Sequence, residues 1–139
     1  MRLTRRYRFS AAHRLDSPHF SPQENRALYG KCNNPYGHGH NYILDVTVRG
    51  PLDATGRVVD VQALDKLIHE SVLTRLDQKN LNADLPEFAS VVPTTENIAS
   101  HIQRLVERSW KNVFTSPELA VDRIRIEETE HNFFELHSL

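Results

Sequence analysis

The chain is poor in cysteine and glycine and has no long apolar run, and each shortage excludes something. One cysteine, Cys32, in 139 residues rules out an intrachain disulfide framework and fits a reducing compartment, so a cytoplasmic location is the expectation. No window of 18 apolar residues occurs, so no membrane span is expected. The basic start, Met1 to Arg8, runs into no apolar segment and does not read as a secretory signal. The five glycines form no dinucleotide-binding fingerprint. No repeat, linker or low-complexity stretch divides the chain, and residues 1–139 read as a single domain.

At 39% hydrophobic and 25% charged residues, the composition is that of an ordinary globular domain. A chain of this length buries only about two-thirds of its unfolded surface, so help from a metal or from partner subunits is expected. The net charge of −1 conceals an asymmetry. Residues 1–50 carry eight Lys/Arg against three Asp/Glu, and the remainder nine against fifteen. With a near-neutral pI of 6.7 and no nucleic-acid-binding motif, the basic half suits a small anionic molecule, and nucleic acid is not an expected partner. Histidine is abundant: eight residues, four of them within the first 40.

Alternation marks strands at Tyr7 to His13, with Tyr7, Phe9, Ala11 and His13 on one face, and at His40 to Arg49, Val121 to Glu127 and Asn132 to His137. Asp60 is placed to cap a helix carrying Val61, Leu64, Leu67, Ile68 and Val72 on one stripe. A second helix starts near Thr95, capped by Thr94 or Thr95, with Ile98, Ile102, Leu105 and Val106 at helical spacing. Asp16 to Gly39 and Leu76 to Pro93 read as long loops. The order strand, strand, helix, helix, strand, strand predicts an α+β fold: a four-stranded antiparallel sheet with two helices on one face. Such a sheet leaves edges and a face that oligomerisation would cover.

His38 and His40, two apart at the mouth of a strand, point the same way and can reach one ion. His13, at the end of the preceding strand, is the natural third ligand for a site of the catalytic zinc type, which leaves one position open. The plainer reading of His-Gly-His is a turn with two surface imidazoles. Cys32 is open between two roles: a fourth ligand that closes the site, or a thiolate acting as base or nucleophile. Asp77 and Glu128 read as surface carboxylates unless they line the same pocket. A pocket carboxylate would suit the guanidine-like edge of a pterin or guanine ring.

Several motifs, in this order, resemble the 6-pyruvoyl-tetrahydropterin synthase family and its relatives, the 6-carboxytetrahydropterin synthases of the queuosine pathway. They are Phe9-Ser10-Ala11-Ala12-His13, Gly30 to Tyr42 with Cys32, His38 and His40, Leu76 to Asn80, Thr94-Thr95-Glu96-Asn97, and Glu128-Thr129. The resemblance implies a tunnelling fold whose sheets close a barrel in a trimer, stacked as a dimer of trimers, with active sites between subunits. It implies 7,8-dihydroneopterin triphosphate as substrate, accompanied by magnesium, and zinc held by His13, His38 and His40. It casts Cys32 as general base with Asp77, and Thr94, Thr95, Glu96 and Glu128 as the pterin pocket. The product it implies is 6-pyruvoyl-tetrahydropterin, because Cys32 and His38 are separated by five residues where the carboxy-forming relatives usually have three. Asp77-Gln78 departs from the family's usual Asp-His, and glutamine cannot act as an acid or base near neutral pH.

Overall fold

The computed structural model describes residues 1–138. Its centre is a mixed sheet in the order β3-β1-β2-β4-β5. Strand β1 (Arg2–His13) pairs antiparallel with β2 (His38–Arg49), β2 with β4 (Ala120–Thr129), and β4 with β5 (Asn132–His137). The fifth strand, β3 (Lys79–Asn80), adds two residues parallel to the end of β1. The four expected strands are present, and β1 starts five residues earlier than the alternation suggested. Its first residues, Arg2 to Arg6, hold only Leu3 as an apolar side chain, so pairing with β2 rather than an apolar stripe makes them strand.

Helix α2 (Val61–Ile68) is capped by Asp60, whose side chain accepts from the N–H groups of Gln62 and Ala63. It continues through a π-helical turn, His69–Leu73, into the short α3 (Thr74–Leu76). Helix α5 (Thr95–Val113) is capped by Thr94, which accepts from Asn97 N–H. Leu64, Ile68 and Val72 from one helix and Ile98 and Ile102 from the other are buried over Tyr42, Leu44, Val46, Ile124 and Ile126 of the sheet. Each such side chain stabilises the fold by about 1.5–3 kcal/mol when fully buried. Phe9 stacks on Tyr42 with ring centroids 5.0 Å apart, and this pair forms the floor on which the histidines of β1 and β2 stand.

Two stretches expected to be loops contain structure. Between β1 and β2 lies α1 (Pro22–Tyr29), followed by a 3-10 turn at Gly30–Asn33. A capping box holds the start of α1, Ser21 bonding Glu24 N–H and Glu24 bonding Ser21 N–H. Only Asn25 of this helix is buried, so it has no apolar stripe. After α3 come β3, a turn of helix α4 (Leu81–Asp84) and a 3-10 turn at Pro86–Phe88. Among the described residues no helix is long and apolar enough to cross a membrane.

The face of the sheet away from the helices is charged. Asp45, 4% exposed, takes two bonds from Arg6 at 2.8 and 3.1 Å and lies 3.6 Å from Arg125. A buried carboxylate needs such partners, since an unpaired one costs several kcal/mol. The exposed edges remain open: β3 covers only Ala11 and Ala12 of β1, and β5 ends the other side of the sheet.

Candidate functional site

The register of the first two strands sets the site. His13 lies directly opposite His38, Ala11 opposite His40 and Phe9 opposite Tyr42, so three imidazoles share the face that carries the core. The chain must leave β1 and return beside it, and Gly37 makes the return possible. Its φ is +80°, and a Cβ there would lie 2.7 Å from the His13 carbonyl oxygen; only glycine fits so close an approach in the left-handed region.

The 3-10 turn that carries Cys32 is tied to the end of β1. Leu15 N–H donates to the Cys32 carbonyl at 2.7 Å, and Asn33 Nδ2 donates to the Leu15 carbonyl at 2.7 Å and to Asp16 Oδ1 at 2.9 Å. These bonds bring the thiol 3.5 Å from His40 Nε2. From β4, Glu128 reaches the same nitrogen, with Oε1 at 3.5 Å. Its other oxygen accepts from Thr95 Oγ1 at 2.9 Å, and Thr95 in turn accepts from Asn132 Nδ2 at 3.2 Å. One ligand atom from each of His13, Cys32, His40 and Glu128 therefore lies within 4.8 Å of the others.

His13 is fully buried, and its protonation is decided by its neighbour. Nδ1 lies 2.9 Å from the Pro93 carbonyl oxygen, which can only accept, so Nδ1 carries the hydrogen. Nε2 is left with a bare lone pair, buried and without a hydrogen-bond partner. A carbonyl that fixes the tautomer of an imidazole and aims its free nitrogen inward is the usual support of a metal-binding histidine. Burial is the main cause that holds both His13 and His40 below the ordinary histidine pKa, so both are neutral near pH 7, as metal ligation requires. Burial first, and then the charge of Glu128, push the Cys32 thiol up. It becomes a thiolate only beside a cation. The donor set of two imidazoles, a thiol and a carboxylate fits zinc.

The remaining expected site residues fall as follows. His38 stands edge-on to His40, ring centroids 4.8 Å apart, beside the four-residue cluster rather than in it. Thr95 meets Glu128, Thr94 is occupied as the helix cap, and Glu96 is exposed on the first turn of α5. Asp77 is not brought to Cys32 within one chain; its Oδ1 accepts from Ser10 N–H at 2.8 Å. Gln78 has a φ of 62°, and it lines, with His40, Ser10 and Asn80, a cavity of about 500 Å³ at the sheet edge. His69 and His131, the other histidines considered for a proton relay, are both exposed. Sequence reasoning missed the Pro93 carbonyl and Asn132; a backbone acceptor carries no residue-type signal, and Asn132 reads only as the first residue of the last strand.

This is an α+β chain with a largely enclosed, preoriented cluster of potential metal ligands where three strands and the cysteine of a 3-10 turn meet. The comparisons narrow that class. Residues 2–138 match the family model described as 6-pyruvoyl tetrahydropterin synthase, and the chain belongs to that family. A 6-pyruvoyl tetrahydrobiopterin synthase of Poecilia reticulata is 49% identical over 132 residues, covering 94% of this chain and 85% of that one. The structure of Caenorhabditis elegans 6-pyruvoyl tetrahydropterin synthase superposes with a TM-score of 0.86 at 38% identity, covering 100% of this chain and 96% of that one. A 6-carboxy-5,6,7,8-tetrahydropterin synthase of Rickettsia bellii is 26% identical, covering 98% of this chain and 99% of that one.

Proposed function

We propose that this chain is a lyase of the 6-pyruvoyl-tetrahydropterin synthase type, converting 7,8-dihydroneopterin triphosphate to 6-pyruvoyl-tetrahydropterin with release of triphosphate. The observation that carries the reading is the convergence of His13, Cys32, His40 and Glu128 around the unpartnered nitrogen of His13. Family membership and close identity to proteins named for this activity support it.

Zinc at this centre would be held by His13, His38 and His40, and it would supply a Lewis acid for the side-chain oxygens of the substrate. The protein groups do the rest. Cys32 takes a proton from the substrate side chain and returns one, the role its position beside the centre suits. Glu128, steadied by Thr95, accepts two N–H donors from the amino-pyrimidine edge of the pterin. Thr94 and Glu96 shape the start of α5 beside it. Triphosphate leaves from the end carbon of the side chain, and the resulting enol becomes a ketone. The neighbouring carbinol carbon becomes the second ketone as its two hydrogens pass to the ring, so no external oxidant or reductant is consumed. Magnesium would accompany the triphosphate as part of the substrate.

Asp77 is tied to Ser10 in its own chain, so we assign it to the Cys32 of a neighbouring copy in a trimer or dimer of trimers. The open outer edge of β1 and the outer edge of β5 suit pairing between copies, and the charged face of the sheet would then line the barrel. A 6-carboxy product, formed with loss of acetaldehyde, is the second reading; Gln78 in place of the family's usual histidine favours it. Incubation of zinc-loaded protein with 7,8-dihydroneopterin triphosphate and magnesium, with products read by mass, tests both. Triphosphate with the full three-carbon side chain retained is expected. Stoichiometric acetaldehyde would decide for the carboxy product, and bound but unchanged substrate would make the chain a pterin-binding homologue.

A further inference from the structure

One short segment touches both ends of the site. The Pro93 carbonyl accepts from His13 Nδ1 at 2.9 Å, and Thr95, two residues on, donates its hydroxyl hydrogen to Glu128 Oε2 at 2.9 Å. His13 stands on β1 and Glu128 on β4, with β2 between those strands. Sheet register sets the two backbones. The two side chains are oriented against each other by residues 93 and 95.

A turn before α5 holds that segment. Thr94 N–H donates to the Val92 carbonyl at 2.8 Å and closes a three-residue turn with Pro93 at its middle. The φ that proline fixes suits the middle of a γ-turn, and the turn makes no use of the middle carbonyl. That free carbonyl is the one His13 meets. A γ-turn has a single bond of its own, and proline has no N–H to add another. The second bond comes from Asn97, whose Nδ2 donates to the same Val92 carbonyl at 2.7 Å. A carbonyl only accepts, so the amide nitrogen of Asn97 faces it. Asn97 is itself fixed in the first turn of α5, where its N–H donates to Thr94 Oγ1 at 3.2 Å. Pro93 and Thr95 are buried, so their alignment depends on protein bonds rather than on solvent.

Resting on the function proposed above, we infer that Asn97 is a positioning residue. By locking the turn at Pro93 it sets the His13 imidazole toward the metal and, through Thr95, the Glu128 carboxylate toward the pterin. Its loss lets the Pro93 carbonyl turn away, so His13 Nδ1–H is held less firmly and Nε2 is aimed over a wider range. The start of α5 loosens with it, and Thr95 is less well placed against Glu128. One side chain tunes the metal and the pterin ends together.

Asn97→Asp and Asn97→Ala test this, since both lack the amide donor. Aspartate keeps the size, and a carboxylate in the first turn of a helix is favourable, so the helix itself is not weakened. Alanine keeps the position uncharged. Three readings are taken well below the melting temperature. Zinc affinity is measured by competition with a chromophoric chelator. Affinity for unsubstituted pterin, which lacks the side-chain oxygens that would meet the metal, is followed by its fluorescence. Solvent exchange of His13 Nδ1–H is followed by NMR on zinc-loaded protein with nitrogen-15 histidine. Losing the direct partner of a metal-bound histidine costs about 10–100-fold in affinity, and Asn97 acts one step further out, so both variants should bind zinc about tenfold more weakly. Pterin should bind about 2- to 10-fold more weakly, the effect of one neutral hydrogen bond, and His13 Nδ1–H should exchange faster. A merely structural role would lower the melting temperature and leave all three readings at wild-type values; that result would overturn the inference and leave the proposed function standing. So would an effect confined to one variant, which assigns it to charge or to lost volume. Wild-type protein that binds neither zinc nor pterin would overturn the proposed function, and the inference with it.

Discussion

Thr95 offers a way to perturb the pterin end of the site without touching a metal-type ligand. Its hydroxyl donates to Glu128 Oε2 at 2.9 Å, and the residue is only 3% exposed. Valine has nearly the same shape and no hydroxyl, so Thr95→Val removes the donor and leaves the packing. A hydrogen bond to a charged group contributes about 1.5–3 kcal/mol, which corresponds to roughly 10- to 150-fold in an equilibrium constant. Part of that loss falls on stability, since Asn132 also loses its acceptor. The melting temperature should drop by a few degrees. The rest falls on substrate binding, because Glu128 is no longer held in place. KM for 7,8-dihydroneopterin triphosphate should rise about tenfold or more while kcat changes far less. Thr95→Ser, which keeps the donor, should stay close to wild type. Thr94→Ala, by contrast, removes a helix cap and should cost about 1 kcal/mol of stability. Steady-state kinetics on folded Thr95→Val with an unchanged KM, or Thr95→Ser as impaired as the valine variant, would refute the reasoning.

Gly37→Ala should destabilise the chain by about 1–3 kcal/mol and lower its zinc content together, because the added Cβ meets the His13 backbone at 2.7 Å; thermal melts and metal analysis showing neither change would contradict this. His101 is 4% exposed, its Nε2 has no partner, and burial pulls its pKa down to about 4. The unfolded chain binds a proton near pH 6.5 and the folded chain does not, so stability is full above pH 6.5 and falls toward pH 4, by about 2 kcal/mol after allowance for screening. His101→Leu should flatten that part of the pH profile of denaturant unfolding; an unchanged profile would assign the acid sensitivity elsewhere. Gln78→His should raise turnover several-fold if proton relay limits the rate, and an equal rate in a stopped-flow assay would show that the relay is dispensable.

The parts of the fold that were legible in the sequence are those that bury a patterned face. Tyr42, Leu44, Val46 and Val48 alternate because one side of β2 packs under both helices, and Leu64, Ile68, Ile98 and Ile102 recur at helical spacing for the same reason. Helix α1 buries only Asn25, so no apolar period announces it; the one available signal was the pairing of Ser21 with Glu24 at capping-box spacing. Strand β3 is two residues long, too short for any period. At the site, the meeting of His13 with His38 followed from hairpin-like pairing of two strand ends. The approach of Cys32 and Glu128 to His40 depends on Asn33 bonding the end of β1 and on the register of β4 against β2. Those are tertiary facts, and spacing along the chain does not encode them.

The central claim is that the side chains gathered at the end of β1 and β2 form a metal centre built on the orphaned nitrogen of His13. Zinc content per chain, measured by elemental mass spectrometry after exhaustive dialysis of wild-type and His13→Asn protein, tests it most directly. The account predicts one zinc per wild-type chain and a small fraction of that in His13→Asn, with the variant still folded by circular dichroism. Wild-type protein without zinc, or a His13→Asn variant that retains its full complement, would contradict it.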